Sequence, residues 1–205
     1  MADGSETGKD LHGSAPDKHS VALLLVDVIN PLDFPGVERL LRFVPTVAAR
    51  LAELKRRAKA AKVPVIYAND NFGRWRSDLS AVVKRCLEPD CHGRPLVEQL
   101  RPDADDYFVL KPKHSAFFST TLDTLLRYLG TRTLVIGGLA ADICVLFTAN
   151  DAYMRDLRVV VPADGVASNE EEDRDGVLAL MRRVLKAETP NSAGIDFGAF
   201  GDPDE

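Results

Sequence analysis

Residues 21–28 read Val21-Ala-Leu-Leu-Leu-Val-Asp-Val28, an apolar run broken only by Asp27. Apolar residues at every position, rather than at every second one, indicate a strand that is buried on both faces, as in parallel sheets. Further short apolar runs of this kind follow along the chain, at Val63–Ala68, Tyr107–Leu110, Thr133–Ile136 and Val159–Val161. These five runs predict a sheet that is covered by helices on both sides.

Longer segments with apolar residues at i, i+3 and i+4 separate these runs and predict helices. The predicted helices are Val37–Lys62, Leu79–Leu87, Thr121–Leu129, Asp142–Leu157 and Glu170–Leu185. Strands that alternate with helices predict an α/β fold: a three-layer, doubly wound, mostly parallel and Rossmann-like sheet joined by right-handed crossovers. We expect five or six strands, the sixth near Gly194–Phe197.

The chain has 205 residues, which fits one domain. Residues 1–19 are Gly, Ser, Asp and Lys in no periodic order and predict a flexible tail, with residues 20–205 forming the domain. With 31 acidic and 26 basic residues, the net charge of -5 argues against a nucleic-acid partner. The first apolar run is too short to span a bilayer, and no signal-peptide pattern precedes it, so we expect no membrane partner and a cytoplasmic location.

Ligands of open α/β sheets bind outside the carboxyl ends of the strands. Asp27 follows the first strand, and burial there would raise its pKa and suit it to proton exchange. Lys111 ends the third strand, where its ammonium could reach into the cleft, although Lys113 could do the same. Taken one at a time, a turn-capping aspartate and two solvated lysines are the better explanations.

Cys144 lies in Gly137-Gly-Leu-Ala-Ala-Asp-Ile-Cys-Val145, just after the fourth strand and at the start of a predicted helix. A helix N-terminus stabilises a thiolate, and the glycines would let the backbone approach a ligand. A buried structural thiol is the alternative. The thiol, the carboxylate and the ammonium follow three different strands, and we expect them to meet in one pocket at the carboxyl edge of the sheet. There they would act as nucleophile, proton acceptor and cationic partner, and we expect the sulfur to be ionised.

Three motifs carry a resemblance to the cysteine hydrolases of the isochorismatase-like superfamily. They are Leu23-Leu-Leu-Val-Asp27, Lys111 followed by Ser115-Ala-Phe117, and Gly138-Leu-Ala-Ala-Asp-Ile-Cys144-Val-Leu-Phe-Thr148-Ala-Asn-Asp-Ala152. The resemblance implies a catalytic triad of Asp27, Lys111 and Cys144, which selects Lys111 over Lys113. It also implies a non-proline cis peptide between Ala140 and Ala141, and an oxyanion hole formed by the N–H groups of Ala141 and Cys144.

Two departures from the family pattern matter. Ala141 stands where the family usually has threonine, which removes a hydroxyl but keeps the backbone donor. The zinc-binding histidines of the nicotinamidase branch have no counterpart in Asn69-Asp70-Asn71, and Asp70 alone is a poor zinc site. We therefore expect no metal and no cofactor. The resemblance further implies a homo-oligomer.

Other residues are candidates for contacts with a small-molecule substrate. Asn71 and Trp75 lie on the loop after the second strand, and His114 and Phe117 follow Lys111. Surface or packing roles are the alternatives for these residues. The chain has three cysteines, an odd number, which favours reduced thiols. Cys86 and Cys91-His92 have the spacing of half a zinc site, but no second half follows, so incidental thiols are favoured.

These observations predict a cysteine hydrolase that cleaves a C–N bond of a small amide, ureide or carbamoyl compound through a thioester. One alternative is the cleavage of a vinyl ether in an isochorismate-type substrate, with Asp27 as proton donor and Cys144 dispensable. A second alternative is a ligand-binding protein that keeps the fold without turnover. The intact set of Asp27, Lys111 and Cys144 argues against that last reading.

Overall fold

The structure, a computed structural model, describes residues 18–70 and 78–200. Its centre is a parallel sheet with the strand order β3-β2-β1-β4-β5, in which β6 pairs with the end of β4. The strands are β1 Val21–Val26, β2 Val65–Asp70, β3 Tyr107–Lys111, β4 Thr133–Leu139, β5 Arg158–Val160 and β6 Val166–Ala167. The predicted tail lies mostly in residues 1–17, outside the described residues.

Helices cover both faces of the sheet and confirm the three-layer prediction. One face packs against α1 Glu38–Leu41, α2 Val44–Ala60, α3 Leu79–Cys86 and α4 Arg94–Gln99. The other face packs against α5 Leu122–Leu129, α6 Leu146–Tyr153 and α7 Glu171–Leu180. Two π-helices, Ala141–Val145 and Met181–Leu185, precede α6 and follow α7. Within the described residues, no helix is long and apolar enough to cross a membrane.

The first predicted helix is two helices, because a proline interrupts it. Pro45 lies in the first turn of α2, and as proline it has no N–H to donate to the carbonyl of Leu41, where α1 ends. The sequence pattern predicts no helix between Leu87 and Thr121, where the structure has α4. Its six residues are too short to show a clear apolar period.

The expected sixth strand at Gly194–Phe197 is wrong. That segment lies between two short 3-10 helices, Ser192–Gly194 and Phe197–Phe200. The guanidinium of Arg57 on α2 donates to the carbonyl oxygens of Ser192 (2.5 Å) and Ile195 (2.6 Å). A side chain, rather than a neighbouring strand, therefore satisfies this backbone, and the sixth strand is β6.

The strand order changes direction beside β1. The chain adds β2 and β3 on one side of β1 and then returns to place β4 on the other side. The register aligns Val26 with Gly138 on β4 and with Ala68 on β2, and aligns Asp70 with Lys111 on β3. The carboxyl ends of β1 and β4 thus form the switch point at which open α/β sheets bind ligands.

Candidate active site

Three side chains from three strand ends meet at this edge of the sheet. The Nζ atom of Lys111 lies 2.8 Å from Oδ2 of Asp27 and 3.5 Å from Sγ of Cys144. The carboxylate of Asp27 also interacts with the thiol of Cys144. The structure therefore brings together the three residues that the motifs selected, while Lys113 is exposed.

Asp27 leaves β1 in a left-handed conformation with φ of 52°. An aspartate tolerates this region better than most residues do, and such strain concentrates at functional sites. Its Oδ1 accepts a hydrogen bond from the N–H of Asp70 at 2.7 Å, so both carboxylate oxygens have partners. Burial raises the pKa of Asp27 above its usual range, and the charge of Lys111 offsets only part of this effect. The pKa direction confirms the prediction for this carboxylate.

Lys111 ends β3, and its side chain is fully buried. It reaches beyond β2 to Asp27, and a second carboxylate, Oδ2 of Asp70, lies 3.9 Å from its Nζ. Burial by itself would lower the pKa of Lys111, but the charges of Asp27 and Cys144 outweigh it and hold the pKa above its ordinary value. The lysine is therefore a permanent cation between the carboxylate and the sulfur.

Cys144 lies in the π-helix Ala141–Val145 and is partly buried. Burial, reinforced by the charge of Asp27, raises the pKa of Cys144 to about 12, although Lys111 opposes this shift. The expectation of an ionised sulfur is therefore wrong for the resting site. A helix N-terminus lowers the pKa of a thiol, but this thiol is also desolvated and faces a carboxylate. These two effects raise its pKa and outweigh that of the helix. A proton that moves from Cys144 to Asp27 stays within the triad and leaves its total charge unchanged.

Gly138, before this turn, allows two strands to pack closely rather than a ligand to approach the backbone. Gly138 has φ of 128°, and a Cβ atom there would lie 2.0 Å from the carbonyl oxygen of Val26. The close approach of β4 to β1 therefore requires glycine at this position. It places the start of the Cys144 turn directly beside the residue that precedes Asp27.

The non-proline cis peptide joins Leu139 to Ala140, so the expected position between Ala140 and Ala141 is wrong by one bond. β4 continues through Leu139 and the π-helix begins at Ala141, which leaves Ala140 as the extended residue between them.

The first helical turn holds the two predicted oxyanion donors. The carbonyl of Ala140 accepts from the N–H groups of Ile143 (3.3 Å) and Val145 (3.1 Å). The N–H groups of Ala141 and Cys144 belong to the same turn, where a helix leaves part of its N–H groups without an acceptor. Together with the adjacent sulfur, this makes them suitable donors to an oxyanion.

The predicted substrate contacts divide into three groups. His114 is exposed, and its ring lies 5.5 Å from that of Phe147 on α6. Phe117 is buried in the core, and the guanidinium of Arg155 lies 4.6 Å from its ring centroid, which favours packing over substrate contact. Asn71 and Trp75 lie outside the described residues.

Sequence reasoning gave no role to Thr148 or Asp151, although both contact the segment after Lys111. The Thr148 hydroxyl accepts from the N–H of Ala116 at 3.0 Å and donates to the carbonyl of Cys144 at 2.7 Å. Asp151 accepts from the hydroxyl of Ser115. Ser115, Thr148 and Asp151 were part of the quoted motifs, which was the only sign of their importance.

Groups with metal-ligand chemistry elsewhere in the described residues have other partners. The carboxylates of Asp103 and Asp106 form ion pairs with Lys55, and those of Asp105 and Asp106 with Lys59. The thiol of Cys91 donates to the carbonyl of Pro31 at 3.4 Å, and a ring nitrogen of His92 lies 3.2 Å from the carbonyl oxygen of Leu32. Burial raises the pKa of Cys86 to about 12. These contacts agree with the interpretation of Cys86 and Cys91 as incidental thiols.

Comparison with known proteins gives the family of this site. A sequence model described as the Isochorismatase domain matches residues 21–189, which lie within the predicted domain. The chain belongs to the isochorismatase family. An uncharacterized isochorismatase family protein of Bacillus subtilis (strain 168), YaaI, is 41% identical over 171 residues, which cover 83% of this chain and 93% of that protein.

Two further proteins that are similar to this chain carry named activities. Ureidoacrylate amidohydrolase RutB of Methylorubrum extorquens is 28% identical over 176 residues, which cover 72% of this chain and 70% of that protein. The crystal structure of N-carbamoylsarcosine amidase from Thermoplasma acidophilum superimposes with a TM-score of 0.65 at 28% identity, covering 86% of this chain and 99% of that one. Named relatives of this chain thus include hydrolases of C–N bonds.

Proposed function

We propose that this isochorismatase family protein is a cysteine hydrolase that cleaves a C–N bond of a small amide, ureide or carbamoyl compound. The observation that carries the proposal is the contact of Lys111 Nζ with both Asp27 (2.8 Å) and the sulfur of Cys144 (3.5 Å). A nucleophile, a base and a fixed cation are the groups that acyl transfer requires. The amidohydrolase RutB and the carbamoylsarcosine amidase support the substrate class.

The reaction begins with a proton transfer inside the triad. The carboxylate of Asp27 accepts the thiol proton of Cys144, and the Lys111 ammonium stabilises the thiolate. The sulfur then bonds to the carbonyl carbon, and the C=O electron pair moves to the oxygen, which accepts hydrogen bonds from the N–H groups of Ala141 and Cys144. Preorganised donors of this kind each lower the barrier by about 3 kcal/mol.

The second half of the reaction returns the triad to its starting state. The tetrahedral intermediate collapses with cleavage of the C–N bond, and the leaving nitrogen takes the proton from Asp27. A water molecule then attacks the thioester carbon and gives a proton to Asp27. Cleavage of the C–S bond releases the acid, and the sulfur of Cys144 recovers its proton from Asp27. Lys111 keeps its charge throughout, consistent with its raised pKa.

The test is a panel of small amides, ureides and N-carbamoyl compounds, read by mass spectrometry for product and for an acyl adduct on the protein. We expect turnover of at least one compound and an adduct on the peptide that contains Cys144. Cys144→Ala should reduce kcat by about 10³-fold or more, whereas Cys86→Ala, which removes another buried thiol, should retain activity. Undiminished turnover by Cys144→Ala would rule out Cys144 as the nucleophile.

The raised pKa of Asp27 also supports a second candidate, in which this residue protonates a vinyl ether of an isochorismate-type substrate. That reaction requires Asp27 but not the sulfur. Isochorismate is therefore included in the panel. Turnover of isochorismate that survives in Cys144→Ala and disappears in Asp27→Asn would select this reaction. Binding without turnover of any compound would select a non-catalytic member of the fold.

We also propose a homo-oligomer, on the resemblance to the family alone. Light scattering coupled to gel filtration tests it. A mass of one chain of 22.4 kDa across the micromolar range would contradict it.

A further inference from the structure

One hydroxyl joins the segment that follows Lys111 to the turn that carries Cys144. Thr148 on α6 is fully buried. Its Oγ1 accepts a hydrogen bond from the N–H of Ala116 at 3.0 Å and donates one to the carbonyl oxygen of Cys144 at 2.7 Å. The bond to Cys144 is the common backward bond of a helical threonine. The bond from Ala116 comes from a different part of the chain.

The same segment has two more contacts, one with α6 and one with the turn that follows it. The hydroxyl of Ser115 donates to Oδ2 of Asp151 and accepts from the N–H of Phe117 at 3.1 Å. The guanidinium of Arg155 lies over the ring of Phe117. Thr148 and Asp151 are three residues apart on α6 and so share one face, and Arg155 follows in the turn after the helix. Residues 115–117 are therefore held along one side of α6.

This attachment bears directly on the reacting groups. Lys111 ends β3 shortly before the attached segment, and Cys144 lies in the π-helix that leads into α6. The distance of 3.5 Å between Lys111 Nζ and Cys144 Sγ thus depends on how the segment and the helix are placed relative to each other. The interaction of a cation with a developing thiolate weakens as that distance grows, and it is strongest in a desolvated site.

We propose that Thr148 is a positioning residue, whose hydroxyl fixes the segment after Lys111 to the turn of Cys144 and thereby sets the spacing between ammonium and sulfur. The inference rests on the proposed function, because that spacing matters only if Cys144 is the nucleophile. Only a side chain that donates and accepts at once can make both bonds. Serine can replace threonine in this role, and valine, which has the same shape, cannot.

The experiment compares Thr148→Val, Thr148→Ser and a matched control, Thr131→Val. Thr131 is also buried, but it lies before β4, at the opposite end of the strands from the triad. Three quantities are measured for each protein. They are the melting temperature, the rate constant for alkylation of Cys144 by iodoacetamide at pH 8, assigned by peptide mapping, and kcat and KM on a compound from the panel.

We expect Thr148→Val to slow the alkylation of Cys144 about tenfold and to lower kcat by about 10–100-fold, with KM within about threefold of wild type. Thr148→Ser should stay within about threefold of wild type in both rates. Thr131→Val should change the melting temperature without changing either rate. A Thr148→Val protein that melts earlier but keeps wild-type alkylation and kcat would reduce Thr148 to a structural residue and overturn the proposal.

A second variant covers the case in which Thr148→Val does not fold. Asp151→Asn keeps the shape of a partly exposed side chain but weakens its bond to Ser115. We expect a smaller decrease in the same two rates, and unchanged rates would contradict the attachment. The alkylation rate needs no substrate. If wild type turns over nothing on the panel, the proposed function fails, while the ratio of alkylation rates still decides the role of Thr148.

Discussion

The ammonium of Lys111 lies 2.8 Å from Oδ2 of Asp27, and both side chains are buried. A buried charge that loses its partner is costly, because neither water nor a counter-ion then compensates it. The ion pair therefore contributes both to the free energy of unfolding and to the proposed catalysis. Substitutions of Lys111 can separate these two contributions.

Lys111→Met keeps the length of the side chain and removes its charge. We expect kcat/KM to fall by at least about a hundredfold, because the thiolate of Cys144 loses its cation. We also expect the variant to lose about 3–5 kcal/mol of stability at pH 7, and less at acid pH, where the buried Asp27 is protonated. Denaturant unfolding at pH 5 and pH 7 measures this difference. Lys113→Met, at an exposed neighbour, is the control, and an equal loss of activity in both variants would contradict the assignment of Lys111.

The pH dependence of kcat/KM should follow Asp27 on the acid side. Because burial raises the pKa of Asp27, activity should rise with pH around a midpoint above the ordinary value of 3.8. The thiol, with a pKa of about 12, and Lys111, with a raised pKa, predict no alkaline decrease below about pH 10. Asp27→Asn should remove the acid limb and lower the plateau at least about a hundredfold. An acid limb that persists in Asp27→Asn would assign it to another group.

Stability at alkaline pH should depend on Cys144. Its pKa is about 12 when folded and close to the ordinary 9.0 when unfolded. The folded state therefore keeps a proton that the unfolded state loses. The resulting contribution is present below pH 9 and is lost as the pH rises through the folded pKa. From pH 7 to pH 10, wild type should lose about 1 kcal/mol more than Cys144→Ala.

Cys86→Ala should show an effect of the same sign, since burial also raises the pKa of Cys86 to about 12. Urea unfolding curves at the two pH values measure both differences. Parallel losses in wild type and in both variants would show that these thiols titrate alike in the folded and unfolded states.

Two glycine substitutions should have opposite effects on stability. An alanine Cβ at Gly138 would lie 2.0 Å from the carbonyl oxygen of Val26 at a φ of 128°, so Gly138→Ala should cost at least about 3 kcal/mol. Gly176 is inside α7, and nothing lies within 4 Å of an added Cβ, so Gly176→Ala should stabilise the protein by about 0.5–1 kcal/mol. Thermal unfolding measures both, and a mild effect at Gly138 would contradict the close approach of β4 to β1.

Much of the fold and the site could be predicted because both depend on local patterns. Continuous apolar runs identified five strands, and the rule that sites lie at strand ends pointed to Asp27, Cys144 and a lysine at position 111 or 113. The family resemblance then selected Lys111. The protonation of Cys144 could not be predicted from its helix alone. Its pKa depends on burial and on the charge of Asp27, which is distant from Cys144 in sequence. The link through Thr148 was not visible for a similar reason, because its partners are backbone groups of residues 116 and 144.

The pairing of β1 with β4 has a consequence for biosynthesis. Val21 pairs with Thr133 and Val26 with Gly138, so the strand that ends at Asp27 acquires this neighbour only after the ribosome has made more than half of the chain. Domains fold in order as they emerge during translation, and contacts between distant segments form late. A nascent chain that lacks β4 therefore cannot hold the sulfur of Cys144 next to the carboxylate of Asp27. The proposed hydrolytic activity should appear only when β4 has emerged and joined the sheet, which would make an enzymatic assay a stringent reporter of completed folding.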